Sequence, residues 1–360
     1  MKRTLKIIAA LLVIVIVGGM LSACESEQKN ESPSSSQPVA TGGSGLPGGK
    51  DIYKDPIRIA MIVLSTGGIV NQMYRLVFNE QTISFPNVTI NYMDGEFNPS
   101  KQITLIEECI TQGYDAIFLE PMDPVALSDA ITRAEQEGIP VLTMNVEPQV
   151  VSSLHITVAH YKAGWDSAQV LDNLTKGMPN RTAIVLDCPP TSKPGAHQGT
   201  AFEEYCANTD IEILEMIGIE FWSADNAMTA MRDMLTKYGP GQITMVYCAS
   251  GDIALGAMNA IKQTGRESDG ILVWGFQTFP SDFEAIREGR MAGTMFSDIY
   301  LQTATMFYYA LYFISTGLTA HTAGYTKTPY IAVPMIPVTQ QNVDQMMDVS
   351  RWFYDESLNP

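Results

Sequence analysis

Between Asn98 and Asn145 the chain switches hydrophobic period from helix to strand, and then does so again. Apolar Ile103, Leu105, Ile106 and Ile110 recur at helical spacing up to Gly113, and Ala116 to Leu119 then form a short apolar run closed by Glu120 and Pro121. Val125, Leu127, Ile131 and Ala134 carry a second helical pattern to Gly138, after which Val141, Leu142 and Met144 make another short run that ends at polar Asn145. Strands and helices alternating over loops of a few residues demand parallel βαβ units with right-handed crossovers. In such sheets ligands lie beyond the carboxyl ends of the strands, so Glu120 and Asn145 point toward a site.

The alternation extends in both directions. Ile57 to Leu64 is a buried-strand pattern followed by Ser65-Thr66-Gly67-Gly68 and a helix from about Val70, and Val88 to Tyr92 is the next strand. His155 to Val158 is a fifth strand and Tyr161 begins an amphipathic helix. The pattern then restarts, with strands at Thr182–Leu186, Ile211–Ile219, Ile243–Tyr247 and Ile271–Phe276, each followed by a helix. Tyr300 to Ser315 is apolar on most faces but shorter than the roughly 20 residues a membrane span needs, so it reads as a buried helix. Tyr330 to Ile336 reads as a last strand, and Gln341 to Asp355 as a terminal helix carrying Trp352, Phe353 and Tyr354. With 360 residues, the expected class is α/β: two similar doubly wound parallel-sheet lobes with a cleft between them, where such proteins bind small molecules.

The ends and the charge narrow the function classes. Residues 1–23 have a basic start, an apolar run from Ile7 to Val17 and small residues before Cys24, the pattern of a secretory signal peptide. The Leu21-Ser22-Ala23-Cys24 tetrad resembles the lipobox of bacterial lipoproteins. That resemblance implies lipidation of Cys24, anchoring the protein to the cell membrane on its extracytoplasmic side without spanning it. Residues 24–50 are rich in Ser, Pro, Gly and Glu and read as a flexible tether. The formal net charge of −17 argues against nucleic acid as a partner. Cys109, Cys188, Cys206 and Cys248 are too irregularly spaced for a stapling framework and read as buried thiols, with Cys188 and Cys206 the pair to consider for a bridge. No motif calls for a metal or a cofactor. An exported hydrolase is disfavoured, since no G-x-S-x-G elbow is present and His155, His160, His197 and His321 stand in no catalytic motif.

From about Ile57 to Ile336 the chain resembles the ribose- and galactose-binding group of bacterial solute-binding proteins, which have the type I periplasmic-binding fold. The resemblance is carried by Asn98-Pro99, Gly113-Tyr114-Asp115-Ala116-Ile117, Gly138-Ile139-Pro140-Val141, the run Ser250 to Ala257, and Trp274-Gly275-Phe276. It implies three crossings between lobes, near His160, Ser297 and Lys327. The N-terminal lobe is then 51–159 plus 298–327, and the C-terminal lobe 160–297 plus 328–360. It implies hinge closure on a sugar or related small polar solute, and delivery to the permease of an ABC importer. Reporting to a membrane sensor kinase or chemoreceptor is the alternative output.

The same resemblance places candidate ligand contacts at Ser65, Asn71, Gln72, Asn145, His197, Trp222, Ser250, Asp252, Gln277 and Asp298. Several positions depart from the family pattern. Asn145 stands where sugar binders place an Asp, Val146 and Ala196 stand where Arg residues grip hydroxyls, and Gln277 stands where an Asp follows Gly-Phe. Each residue also has a purely structural reading. Asp252 suits a helix cap, Asn145 and Gln277 suit turns, Trp222 suits a lobe surface, and His160 and His197 suit hinge and loop. Amides in place of charged groups weaken each hydrogen bond by roughly half. They point to a neutral sugar, polyol or nucleoside-like ligand, with Trp222 stacked on it.

Overall fold

The computed structural model describes residues 48–67, 69–188, 193–277 and 280–350. The signal segment, Cys24, nearly all of the tether, Gly68 and the aromatics Trp352, Phe353 and Tyr354 lie outside the described residues. Strands are β1 (Ile57–Val63), β2 (Val88–Asp94), β3 (Ala116–Leu119), β4 (Val141–Met144), β5 (Leu154–Val158), β6 (Thr182–Asp187), β7 (Glu212–Gly218), β8 (Met245–Cys248), β9 (Leu272–Phe276), β10 (Gly293–Ser297), β11 (Tyr330–Val333) and β12 (Met335–Thr339). Helices are α1 (Ile69–Ile83), α2 (Pro99–Gln112), α3 (Ser128–Gln136), α4 (His160–Thr175), α5 (Lys193–Cys206), α6 (Ala224–Lys237), α7 (Gly251–Gln263), α8 (Pro280–Arg287), α9 (Ile299–Thr316) and α10 (Val343–Val349).

Two six-stranded sheets result, ordered β11-β5-β4-β3-β1-β2 and β12-β10-β9-β8-β6-β7. Apart from exposed Arg58 near the start of β1, the central strands β1, β3, β4 and β8 are buried along their whole length, as strands covered by helices on both faces must be. Local chemistry sets the element ends. Asn98 accepts hydrogen bonds from the Ser100 and Lys101 N–H groups and Pro99 occupies the first helical position, so α2 starts there. Gly113, in the left-handed region at φ 64°, ends it, with its own N–H and that of Tyr114 returning to the Ile110 and Cys109 carbonyls.

The chain passes between the sheets at three points. Ala159 separates β5 of the first sheet from α4, which packs on α5 and β12 of the second lobe. Asp298 separates β10 of the second sheet from α9, which packs on α1 of the first. The third passage corrects the sequence reading. It falls at Pro334 rather than near Lys327, because 330–336 is two strands. β11 pairs in parallel with β5, while β12 pairs antiparallel with β10. Proline lacks the N–H that would continue a ladder, so the chain leaves one sheet edge and joins the other there. Residues 328–333 therefore belong to the first lobe, and the second sheet is not wholly parallel. The terminal helix is described from Val343 to Val349, and the part of the expected helix beyond residue 350 lies outside the described residues.

Cys109, Cys188, Cys206 and Cys248 are all buried, and no disulfide joins them. Among the described residues no helix is long and apolar enough to cross a membrane. The apolar α9 instead buries Met306, Phe307, Leu311 and Phe313 against the first lobe.

One buried carboxylate ties α3 to the distal end of that lobe. Glu135, 2% exposed, accepts from the Val141 N–H (2.9 Å), the Ser153 N–H (2.8 Å) and hydroxyl (3.0 Å), and the Ala320 N–H (2.7 Å). Burial pushes its pKa up, while these four donors pull the other way. Glu135→Gln sets an amide N–H₂ against donors already committed. We expect it to cost about 2–4 kcal/mol of unfolding free energy, measured by urea denaturation, with far-UV circular dichroism of the folded protein unchanged.

Candidate functional site

The carboxyl ends of both sheets carry the polar residues singled out in the sequence. On the first lobe, the turn after β1 places Ser65 beside Thr66, whose hydroxyl (2.6 Å) and N–H (3.1 Å) both donate to Asp94 at the end of β2. Asn71 donates to the Ser65 carbonyl at 2.6 Å, and exposed Gln72 reaches the Gly67 carbonyl at 3.4 Å. Both amide N–H₂ groups thus brace the first loop.

Asn145 stands at the centre of a four-residue knot. Its amide nitrogen donates to the Tyr74 hydroxyl (3.0 Å) and to Glu120 Oε1 (2.7 Å), and its oxygen accepts from the Gln302 amide (3.1 Å). Tyr74 and Gln302 are fully buried and Glu120 is 8% exposed. The side chain of Asn145 is therefore engaged with α1, β3 and α9. The sequence pointed to Asn145 and left Tyr74 and Gln302 unnoticed, because they come from helices remote in sequence. Burial raises the pKa of Glu120, the Asn145 amide and the Leu64 N–H lower it in part, and burial likewise raises the Tyr74 phenol.

On the second lobe, Ser250 caps α7 by accepting from the Ile253 N–H at 3.2 Å. That corrects the reading of Asp252 as the cap. Asp252 sits in the first turn of α7, half-buried, with a pKa raised by burial. Asp298, at the second crossing, accepts from the Leu301 N–H at 2.8 Å and caps α9, and burial raises its pKa too. Trp222 is half-buried and packs on the core of the second lobe. His197 is exposed, and the side chain of Ala196 lies outside what is described. His160, at the first crossing, stacks on Phe276 with ring centroids 5.6 Å apart, and burial holds its pKa down to about 4.

Backbone strain is concentrated at this end of the molecule. Among the described residues, those other than glycine with positive φ are Glu96 (53°), Phe97 (48°), Asn145 (60°), Phe221 (58°), Trp222 (51°) and Gln277 (57°). All lie just beyond the carboxyl ends of β2, β4, β7 and β9. Side chains rarely adopt this region, and clusters of such residues mark sites where neighbours hold the backbone in place. The turns after β2 and β7 also meet: the Phe97 and Phe221 rings are 5.9 Å apart and edge to face, joining the two lobes at the cleft rim. A cavity of about 730 Å³ lies elsewhere, at the opposite ends of β9 and β10 around Ile271, Met291 and Gln340, and shares none of these residues.

A further acid escaped the sequence reading. Asp187 ends β6, 6% exposed, with its carboxylate against the Gly199 backbone, where any side chain would collide with it. Burial raises its pKa from 3.8 to about 7, with the Cys188 N–H (2.9 Å) opposing the shift. The folded protein therefore keeps a proton that the unfolded chain releases. Stability should fall as pH rises from about 4 to about 7 and level off above. Asp187→Asn should flatten that slope, as read by urea unfolding at pH 5 and pH 8.

Comparison with known proteins gives a consistent picture. A family model for the periplasmic binding protein domain matches residues 59–317. The chain is 25% identical over 260 residues to the xylitol-binding protein of Mycolicibacterium smegmatis, covering 72% of this chain and 70% of that protein. It is 27% identical over 206 residues to the ribose import binding protein of Bacillus subtilis, covering 56% of this chain and 64% of that one. Among solved structures, an ABC transporter solute-binding protein from Bacillus halodurans with bound myo-inositol superposes with a TM-score of 0.70 at 18% identity, covering 82% of this chain and 98% of that one. The binding component of the arabinose ABC transporter from Shewanella sp. ANA-3, bound to arabinofuranose, gives 0.72 at 19% identity, covering 84% and 97%.

Proposed function

The chain belongs to the periplasmic binding protein domain family, and on that premise we propose that it captures a sugar or related polyhydroxylated solute between its lobes and delivers it to an ABC importer. The observation that carries this reading is the cleft itself. Polar residues from both sheets converge at the carboxyl ends of their strands, the chain crosses there three times, and Phe97 of one lobe touches Phe221 of the other. A solute that contacts both lobes stabilises the closed arrangement in proportion to its differential contacts, and hinge closure of periplasmic binding proteins is itself a standard example of that principle. Similarity to proteins named for xylitol and ribose supports a small polyol or sugar as the class of ligand.

The protein binds and releases rather than transforms its ligand; the family and the absence of a catalytic motif in the sequence support this. Export and a lipid on Cys24 fit the sequence of the first 24 residues, and they would hold the protein beside its permease. Output to a membrane sensor remains the second reading on sequence grounds alone.

Isothermal titration against a panel of pentoses, hexoses and polyols, paired with small-angle scattering, tests the proposal. We expect one class to bind with a fall in radius of gyration; no binding and no closure across the panel would refute it. Trp222→Ala should weaken that binding at least tenfold, about 1.4 kcal/mol, while leaving the melting temperature of the ligand-free protein nearly unchanged. An equal loss of stability would assign Trp222 to the core of the second lobe.

A further inference from the structure

We propose that the solute taken by this cleft carries a positive charge, as an amino sugar or aminopolyol does, and that Glu120, Asp252 and Asp298 provide its counter-charge. The inference rests on the cleft being the ligand site, as argued above, and concerns what the site selects.

Three carboxylates close to the carboxyl ends of the strands lack a cationic partner among the described residues. Glu120 is buried and meets only neutral donors, the Asn145 amide and the Leu64 N–H. Asp298 is half-buried and meets only the N–H groups that open α9. Asp252 is half-buried, and no hydrogen bond to its carboxylate is found among the described residues. Lys101, in the first turn of α2, faces Glu96 instead at 3.9 Å. A carboxylate removed from water is costly unless it is paired, so such groups either hold a proton or receive a cation. Burial does raise the pKa of all three.

Hydrogen-bond accounting gives an independent indication. The Gln302 amide nitrogen is committed to Asn145, which leaves its oxygen buried and without a donor. Gln302 lies one helical turn from Asp298 on α9, and Asn145 connects it to Glu120. Around Asn145, the Glu120 carboxylate and the Gln302 oxygen are thus acceptors that no cation among the described residues meets. A hydroxyl brings one donor along with acceptors of its own, whereas an ammonium brings three donors and none. A metal ion suits the arrangement poorly, since among the described residues no group of three or more His, Cys, Asp or Glu is placed to hold one. The aromatic rim of Phe97, Phe221 and Trp222 suits an organic cation as well as a sugar face.

The experiment compares matched ligands that differ in one group, xylitol against 1-amino-1-deoxyxylitol and myo-inositol against its monoamine, by isothermal titration at pH 7.5 on the full folded protein. At least one amine should bind ten or more times tighter than its alcohol, and Glu120→Gln should remove most of that preference. Asp252→Asn, which breaks no hydrogen bond seen here, serves as a second variant in case Glu120→Gln fails to fold, and should lower the preference severalfold. An alcohol binding as tightly as its amine, or a preference untouched by either variant, would overturn the charge assignment and leave the solute-binding reading intact. Failure of every member of both pairs and of the wider panel to bind would overturn both.

Discussion

The knot around Asn145 is the contact on which the geometry of the cleft depends. One amide, held in a left-handed turn at the end of β4, joins β3 through Glu120, α1 through Tyr74 and α9 through Gln302. Because α9 begins at the second crossing, the same amide links the first sheet to the segment that arrives from the other lobe. Buried polar networks of this kind are stable only when their members are satisfied together. The Gln302 oxygen is left over from this network, buried and without a donor. An Asp at position 145 could accept but not donate, and would stand beside the Glu120 carboxylate. Asn relieves that repulsion, which explains in physical terms why an amide occupies this position.

Much of the architecture was legible because it is written in local periodicity. The short apolar runs at Ala116–Leu119 and Val141–Met144 are strands, and the Asn98-Pro99 start and Gly113 stop of α2 are where cap chemistry puts them. The third crossing was misplaced for an equally physical reason. Tyr330 to Ile336 is one unbroken extended pattern, and only long-range pairing assigns its two halves to different sheets. The site was legible to a lesser degree. Strand-end positions could be read, but the use each side chain makes of its hydrogen-bonding capacity could not. Ser250 rather than Asp252 caps α7, and Tyr74, Gln302 and Asp187 became visible only once distant segments were packed together. Glu120 was conspicuous from the start, as a charged residue directly after a fully apolar run.

Acidic groups are treated differently in different parts of the molecule. Glu135 is buried but surrounded by four donors that hold the loop at Ala320 to the first lobe. Glu120, Asp252 and Asp298 are covered less completely and supplied with fewer donors or none. The contrast separates a carboxylate that organises the fold from carboxylates kept available at the cleft.

The two sheets repeat the same strand order, so β2, β3, β4 and β5 correspond to β7, β8, β9 and β10. The positive-φ residues obey this correspondence, with Glu96 and Phe97 matched by Phe221 and Trp222, and Asn145 by Gln277. The ring contact between Phe97 and Phe221 thus joins equivalent turns, as a self-complementary contact does on the twofold axis of a dimer. Here both halves lie in one chain, and they have been free to diverge. Glu120 after β3 has Ala249 as its counterpart after β8, and Asp298 after β10 has Ala159 after β5. A nearly symmetric vessel has acquired polarity: at equivalent strand ends one half presents a carboxylate and the other an alanine.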